Sequence, residues 1–190
     1  MKRQVEKTNC DCYIVIDSVR NTDRVSLYCI KEATEKYHVF EEYTLYDGEM
    51  SFEDGVWNRP FTGLKNSHPM SRRKYARLAD EIKTIKEKVV RMSIAGTIVR
   101  RDSLKAGDCI KYSNGYMKFV KIEDNEFEAS GLSIDKWCAR HCSRITGCIS
   151  EHLPEEVFLI EEKELRHAEK MLRSSVEALK NDIINEYMNV

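Results

Sequence analysis

Cysteine and histidine side chains cluster late in the chain, at a spacing that could hold a metal ion. Cys138, Cys142, Cys148 and His152 form the series Cys-x3-Cys-x5-Cys-x3-His, and His141 precedes Cys142. Zinc takes four soft or borderline ligands in a tetrahedron, and closely spaced thiolates and imidazoles in a reducing compartment can supply them. These four residues of the series are therefore the candidate metal ligands of the sequence.

This cluster matches a zinc signature only in its second half. The Cys-x5-Cys-x3-His part has the spacing of CCCH zinc fingers, but the first interval is shorter than theirs, and no CxxC knuckle is present. The alternative to a zinc site is that some of these side chains belong to the core of a β-barrel and that the histidines lie at the surface. The core positions would be Trp137, Cys138, Ile145 and Cys148, and the surface positions His141 and His152. We expect this alternative, and no cofactor.

No motif predicts a catalytic residue. The sequence contains no P-loop, GxGxxG, HExxH or GxSxG pattern. The pair Cys10-x-Cys12 lacks the CxxC spacing of redox motifs, and Cys12 is in phase with Ile14 and Ile16, so one of the two cysteines should pack in a sheet. A cysteine and a histidine that meet only in the fold stay an alternative. We expect a protein that is not an enzyme.

Basic residues are concentrated in the middle of the chain. The net charge is −4 over residues 1–64, +8 over 65–105 and −5 over 106–190. Clustered cations can contact phosphate groups or an acidic partner. The candidate contact residues are Arg72, Arg73, Lys74, Arg77, Arg100 and Arg101. A solvated helix face is the alternative, and the total charge of −1 argues against a dedicated nucleic-acid binder.

The first half of the chain predicts strands followed by one helix. Residues 1–70 form a β-rich region, in which three alternating runs predict an antiparallel meander and residues 47–70 predict a loop. A basic amphipathic helix follows over 71–93. Its apolar stripe is Leu78, Ile82, Ile85, Val89 and Met92, and its cations, including Lys86, should cover the remaining surface.

The second half predicts a small β-barrel and a long helix, which makes the fold class α+β. Residues 94–160 contain short alternating segments separated by Asn114-Gly115 and Asp124-Asn125, both typical of hairpins. Residues 161–190 predict a C-terminal amphipathic helix. Its apolar seam is Leu165, Leu172, Val176, Leu179 and Ile183.

Part of the predicted barrel resembles a known type. The strand Gly107-Asp108-Cys109-Ile110 and the turn at Asn114-Gly115 are similar to the opening of small Src-homology-type barrels. The chain also resembles small proteins of phages and mobile elements. Tailed-phage head-to-tail connectors include such barrels, so the resemblance, which covers about residues 97–160, implies a role in assembly.

These observations favour a non-enzymatic interaction or assembly protein, such as a phage structural component. The alternative is a nucleic-acid-associated module that uses the basic helix, with a zinc-stabilised barrel edge. We expect the partner, or a second copy, to bind the C-terminal helix, because one small barrel is too short to cover it. No segment reaches the ~20 apolar residues of a membrane span. The odd number of cysteines, seven, favours a cytoplasmic location, or a virion if the protein is phage-encoded.

Overall fold

The periodicities of the sequence produce strands and helices in nearly the predicted order, and the fold is α+β. The computed structural model describes residues 11–17, 24–33, 38–44, 49–50 and 67–187. The strands of this part of the chain are β1 (Cys12–Asp17), β2 (Arg24–Ala33), β3 (His38–Thr44), β4 (Glu49–Met50), β5 (Ser67–Met70), β6 (Gly96–Arg100), β7 (Cys109–Tyr112), β8 (Gly115–Glu123), β9 (Glu126–Ile134), β10 (Ala139–Cys148) and β11 (Glu156–Ile160). Its helices are α1 (Arg72–Val90), the short α2 (Ile149–His152) and the C-terminal α3 (Glu162–Tyr187).

The N-terminal strands form a four-stranded antiparallel sheet in the order β3-β2-β1-β5. In β1, Cys12, Tyr13 and Ile14 are all buried, so both faces of this inner strand are covered. The prediction of a loop over residues 47–70 was wrong for β4, which pairs with β10, and for β5, which pairs with β1. Pro69 weakens the strand pattern in the sequence, but β5 is an edge strand, where a residue without an N–H is tolerated.

The second sheet has seven strands in the order β4-β10-β9-β8-β7-β11-β6. All its pairings are antiparallel except that of β4 with β10. Two predicted hairpins are present. The turn between β7 and β8 lies at Ser113-Asn114, one residue before the predicted Asn114-Gly115, whereas the turn between β8 and β9 lies at Asp124-Asn125 as predicted. Gly115 ends the first turn with φ +151°, and a Cβ there would lie 1.9 Å from the carbonyl oxygen of Leu132. Only glycine therefore permits this approach between strands.

Strand β10 was not predicted, although it contributes to the middle of the larger sheet. Its register against β9 shifts between Cys142 and Ile145, which marks a β-bulge. A bulge adds a residue to one strand and interrupts the alternation of side chains between the two faces. The sequence pattern of a strand is therefore lost at this point, and the Cys/His cluster lies on a strand and the short helix that follows it.

The larger sheet is strongly curved around an apolar core. Ile145 of β10, Val99 of β6 and Val157 of β11 pack in one cluster with Phe119 and Phe127. In a flat sheet β10 and β6 would be about 24 Å apart, since neighbouring strands are about 4.8 Å apart. The sheet therefore curves around this core, and the small β-barrel over residues 94–160 stays a prediction. The pairing of the described strands runs from β4 to β6 and does not close into a ring.

Helix α1 begins where the sequence predicts. Ser71 is its N-cap, and the Ser71 hydroxyl accepts a hydrogen bond from the backbone N–H of Lys74 at 3.3 Å. Leu78, Ile82 and Val89 are buried, which confirms most of the predicted stripe. Tyr116 of β8 donates from its hydroxyl to the carbonyl of Val89 at 2.7 Å and joins the end of α1 to the larger sheet.

Lys86 is buried in α1, and its predicted place on the exposed face was wrong. It is 6% exposed, because it lies four residues after Ile82 on the side that faces the sheets. Its ammonium group lies 3.4 Å from the backbone carbonyls of Asp135 and Lys136, in the turn between β9 and β10. Burial lowers the pKa of Lys86 to about 8, against the weaker opposing effect of Cys138 and Asp135. The side chain thus ties α1 to this turn.

The apolar seam of α3 is covered by its own chain. All five predicted seam residues are buried: Leu165, Leu172, Val176, Leu179 and Ile183. They share one core with α1 and with side chains of both sheets, including Leu27 and Leu132. The larger sheet does not have to cover this helix alone, because α1 packs against α3 and the seam lies in a core shared with both sheets. The seam is therefore not exposed for a partner.

We expect Ile82→Asp to destabilise the protein by roughly 4 kcal/mol or more, because it leaves an unpaired carboxylate and lost packing in the core. Urea unfolding measures the change. Thr84→Asp is the control, since it places the same carboxylate on the exposed face of α1. Equal stability of the two variants would contradict the assignment of Ile82 to the core.

The lowered pKa of Lys86 predicts a pH dependence of stability. Between pH 8 and 10.5 the unfolded chain binds more protons than the folded chain, so stability attributable to Lys86 rises with pH. Relative to that of the Lys86→Met variant, the free energy of unfolding of the wild type should rise by about 2–3 kcal/mol between about pH 7 and about pH 10. Urea unfolding of both proteins measures this difference, in which the titration of other groups cancels. A difference independent of pH would contradict the prediction.

Candidate functional site

The four candidate metal ligands are not brought together. Cys142 pairs with Gly131 and Cys148 with Glu126. Six residues along a strand span about 20 Å, far more than two ligands of one tetrahedral zinc ion allow. The described residues contain no group of three or more His, Cys, Asp or Glu that could hold a metal ion.

Cys138 and His152 have separate structural roles. The Cys138 thiol lies 3.5 Å from the Asp135 carboxylate, whose other oxygen accepts from the backbone N–H groups of Trp137 and Cys138. Burial and the Asp135 charge raise the pKa of Cys138 to about 12, which keeps it a thiol in this environment. The His152 ring lies 3.0 Å from the Cys148 carbonyl and packs against Phe127.

Most of the candidate phosphate-contacting residues on α1 have acidic partners in the same chain. Arg72 binds Asp11 through its side chain, which raises the pKa of Arg72. Arg77 and Lys74 both reach Glu186 at the end of α3, at 2.5 and 3.7 Å. These contacts offset part of the positive charge that the sequence places on the helix. Arg73 is exposed.

Arg100 and Arg101 lie at the end of β6, away from the helix in sequence and in a different element. Arg100 forms two contacts of 3.1 Å with the Asp102 carboxylate. Arg101 donates to the carbonyls of Ser150 and Leu153 next to α2. The adjoining cleft of about 330 Å³ is also lined by Asp102, Asp124 and Glu155. Three carboxylates beside two guanidinium groups do not favour an anion such as a nucleic-acid phosphate.

Strand β6 has a surface that the sequence did not identify. Among the described strands it pairs only with β11, so its other edge has no partner there. Gly96, Thr97, Ile98 and Arg100 are exposed and Val99 is half-buried. Ile98 is 67% exposed, the highest value among the exposed large apolar side chains of the described residues, ahead of Val120 at 57%.

The register of β6 shows which backbone groups face outward. The N–H of Arg101 donates to the carbonyl of Glu155 at 2.9 Å, which makes Arg100 and Glu156 a non-hydrogen-bonded antiparallel pair. Because hydrogen-bonded and non-hydrogen-bonded pairs alternate along the ladder, the backbone N–H and C=O groups of Val99 and Thr97 point towards β11. The backbone N–H and C=O groups of Gly96, Ile98 and Arg100 point away from it. We call these three residues and their backbone groups the β6 edge.

The β6 edge lacks the features that usually prevent strand pairing. Proteins protect edge strands with proline, lysine, a bulge or an inward-pointing charge. The sequence Gly-Thr-Ile-Val-Arg has none of these in its middle, and its only charge, on Arg100, is paired with Asp102. The sequence could not indicate that this strand lies at an edge, because its partner β11 follows more than 50 residues later.

Comparison of the chain with protein-family models, with curated proteins and with solved structures finds no match. The resemblance of residues 97–160 to small Src-homology-type barrels therefore stays a prediction. No helix in the described part of the chain is both long and apolar enough to cross a membrane.

We expect the purified protein to carry no stoichiometric zinc, because Cys142 and Cys148 are too far apart to bind one ion. Elemental analysis of the native protein measures the metal content. One zinc per chain, lost together with stability in Cys142→Ser and Cys148→Ser, would contradict this expectation and favour the zinc-stabilised module.

Proposed function

We propose that this protein is a non-enzymatic assembly protein, two copies of which associate by pairing their β6 edges. The observation that supports this proposal most strongly is the exposure of Ile98 in the centre of an edge strand whose outward backbone groups have no partner among the described strands. Exposed N–H and C=O groups on a strand edge are a template for pairing with another strand.

The β6 edge is complementary to itself. In an antiparallel pair centred on Ile98, this residue faces Ile98 of the second copy, and Gly96 faces Arg100. All three outward-facing residues then meet an outward-facing residue about a two-fold axis, which gives four N–H···O bonds that do not use the Arg100 carbonyl. Two further bonds would share that carbonyl with the Ser103 hydroxyl, which donates to it at 2.6 Å. Gly96 leaves space for the Arg100 side chain, whose charge is balanced by Asp102. This symmetry favours a second copy over an unrelated extended peptide.

The size of this contact predicts a weak association. Five residues on each side bury less area than the roughly 1,200–2,000 Å² of stable protein complexes. Ile98 contributes most of the apolar burial, and full burial of such a side chain is worth about 1.5–3 kcal/mol. A reversible monomer–dimer equilibrium at high protein concentration is therefore the expected behaviour.

The two surfaces that the sequence predicted to bind a partner, the apolar seam of α3 and the basic face of α1, are less suitable for association than the β6 edge. The apolar seam of α3 is buried inside the chain, so association through this seam would require unpacking the core. On α1, Arg72, Lys74 and Arg77 contact acidic side chains of the same chain. The nucleic-acid alternative would require a phosphate to displace these acids, and no described contact favours it.

We expect Ile98→Lys to abolish self-association, because two ammonium groups would lie opposite each other at the two-fold axis. Sedimentation equilibrium over increasing protein concentration should show a rising mass for the wild type and a constant monomer mass for the variant. Val120→Lys is the matched control, since it adds the same charge at the other exposed apolar residue and should leave the association unchanged.

Hydrogen exchange locates the contact. The amides of Gly96, Ile98 and Arg100 should become protected as the wild-type concentration increases, and those of Ile98→Lys should not. A wild type that stays monomeric up to its solubility limit would contradict the proposal. Equal loss of association in the Val120→Lys variant would also contradict it.

A further inference from the structure

Two thiols of the N-terminal sheet lie in contact. Cys12 of β1 and Cys29 of β2 are direct register partners. Their sulfur atoms are 3.4 Å apart, and neither residue forms a disulfide bond. The other described cysteines belong to the larger sheet or to the turns of its strands. The pair plays no part in the proposed contact through the β6 edge.

The backbone at this pair suits a disulfide bond. The N–H of Ile30 donates to the carbonyl of Asp11 at 2.9 Å, which makes Cys12 and Cys29 a non-hydrogen-bonded pair of the antiparallel ladder. The Cα atoms of such pairs are about 4.5 Å apart. This separation falls at the short end of the range of about 4.4–6.8 Å found in disulfides. The two sulfurs can therefore bond by small side-chain rotations, with the strands in place.

The two thiols differ in their access to a reagent. Cys12 has no exposed surface, whereas Cys29 is only partly buried. Burial, with the neighbouring Cys29 and Asp11, raises the pKa of Cys12 to about 12, so Cys12 remains a thiol. Arg72 hydrogen-bonds to Asp11, which is the main reason for the raised pKa of Arg72. Negative charge on Cys29 or Cys12 raises that pKa further, so the guanidinium group lies near both cysteines. A solvent-borne oxidant therefore meets Cys29 first, next to a guanidinium group.

We propose that Cys12 and Cys29 are a reversible oxidation site that hydrogen peroxide converts into an intramolecular disulfide. The Cys29 thiolate attacks one peroxide oxygen, the O–O bond breaks, and protonation of the departing hydroxide gives water and Cys29 sulfenic acid. The Cys12 sulfur then attacks the Cys29 sulfur. The S–S bond forms, the S–O bond breaks, and the hydroxide leaves as water with the Cys12 proton. Two thiols lose two electrons, and one peroxide becomes two waters.

The product has a structural consequence and a route back. The bond joins β1 to β2 across the connection between them, and restricting the unfolded chain in this way raises the melting temperature. A small thiol such as glutathione restores the pair by exchange at Cys29, the more exposed residue of the two. Because β1 and β2 belong to the N-terminal sheet, the oxidation can be tested independently of self-association through β6.

The test is oxidation of the full native chain with stoichiometric hydrogen peroxide, followed by alkylation of the remaining thiols and mass spectrometry. The wild type should lose the mass of two hydrogen atoms, and trypsin should release peptides 8–20 and 25–31 joined to each other. Dithiothreitol should separate them. Oxidised wild type should also melt at a higher temperature than reduced wild type.

Three variants identify the bond. Cys29→Ser changes a partly exposed side chain and should abolish the cross-link in a folded protein. Cys10→Ser removes the other cysteine of peptide 8–20, and Cys148→Ser removes a thiol of the larger sheet; both should retain the cross-link. Loss of the cross-link in Cys10→Ser would overturn the assignment. So would oxidation that stops at sulfinic acid or leaves every thiol free in the wild type.

Discussion

The packing of α1 and α3 against one face of the larger sheet is the interaction on which the rest of the structure depends. An amphipathic helix in water gains most of its stability from burying its apolar face, and isolated helices of ordinary composition are marginal. Ile82 of α1 and Leu172 of α3 lie in the same core as Leu132 of β9. Because the N-terminal sheet adds Leu27 to this core, the two sheets and the two long helices stabilise one another.

This shared core also determines which surfaces can bind a partner. The seam of α3 and the stripe of α1 are used inside the chain, and the end of α3 supplies Glu186 to Lys74 and Arg77. Among the described residues, the β6 edge with its exposed isoleucine is a surface that these contacts leave available. The β6 edge is available because β11 leaves the meander after β10 and inserts between β7 and β6. The topology of the larger sheet thus creates both the curved core and the exposed edge.

The cysteines show that the local structure around a side chain determines its chemical behaviour. Cys142 and Cys148 share a strand but are separated along it, so they act singly. Cys138 is buried beside a carboxylate and stays protonated. Cys12 and Cys29 are far apart in sequence, yet the register of β1 and β2 places their sulfurs in contact. Spacing along the chain drew attention to Cys138, Cys142 and Cys148. The pairing of β1 with β2 instead identifies Cys12 and Cys29 as the two cysteines that can react with each other.

The sequence by itself determined the elements whose signals are local. The Ser71 cap, the stripe around Ile82 and the Asp124-Asn125 turn each depend on residues a few positions apart. Only the tertiary structure decided the features that depend on distant partners. These are the strands β5 and β10, the burial of Lys86, the separation of the Cys/His cluster and the edge position of β6. A strand's neighbour or a side chain's burial is set by the packing of distant segments, and periodicity carries no information on which segments meet.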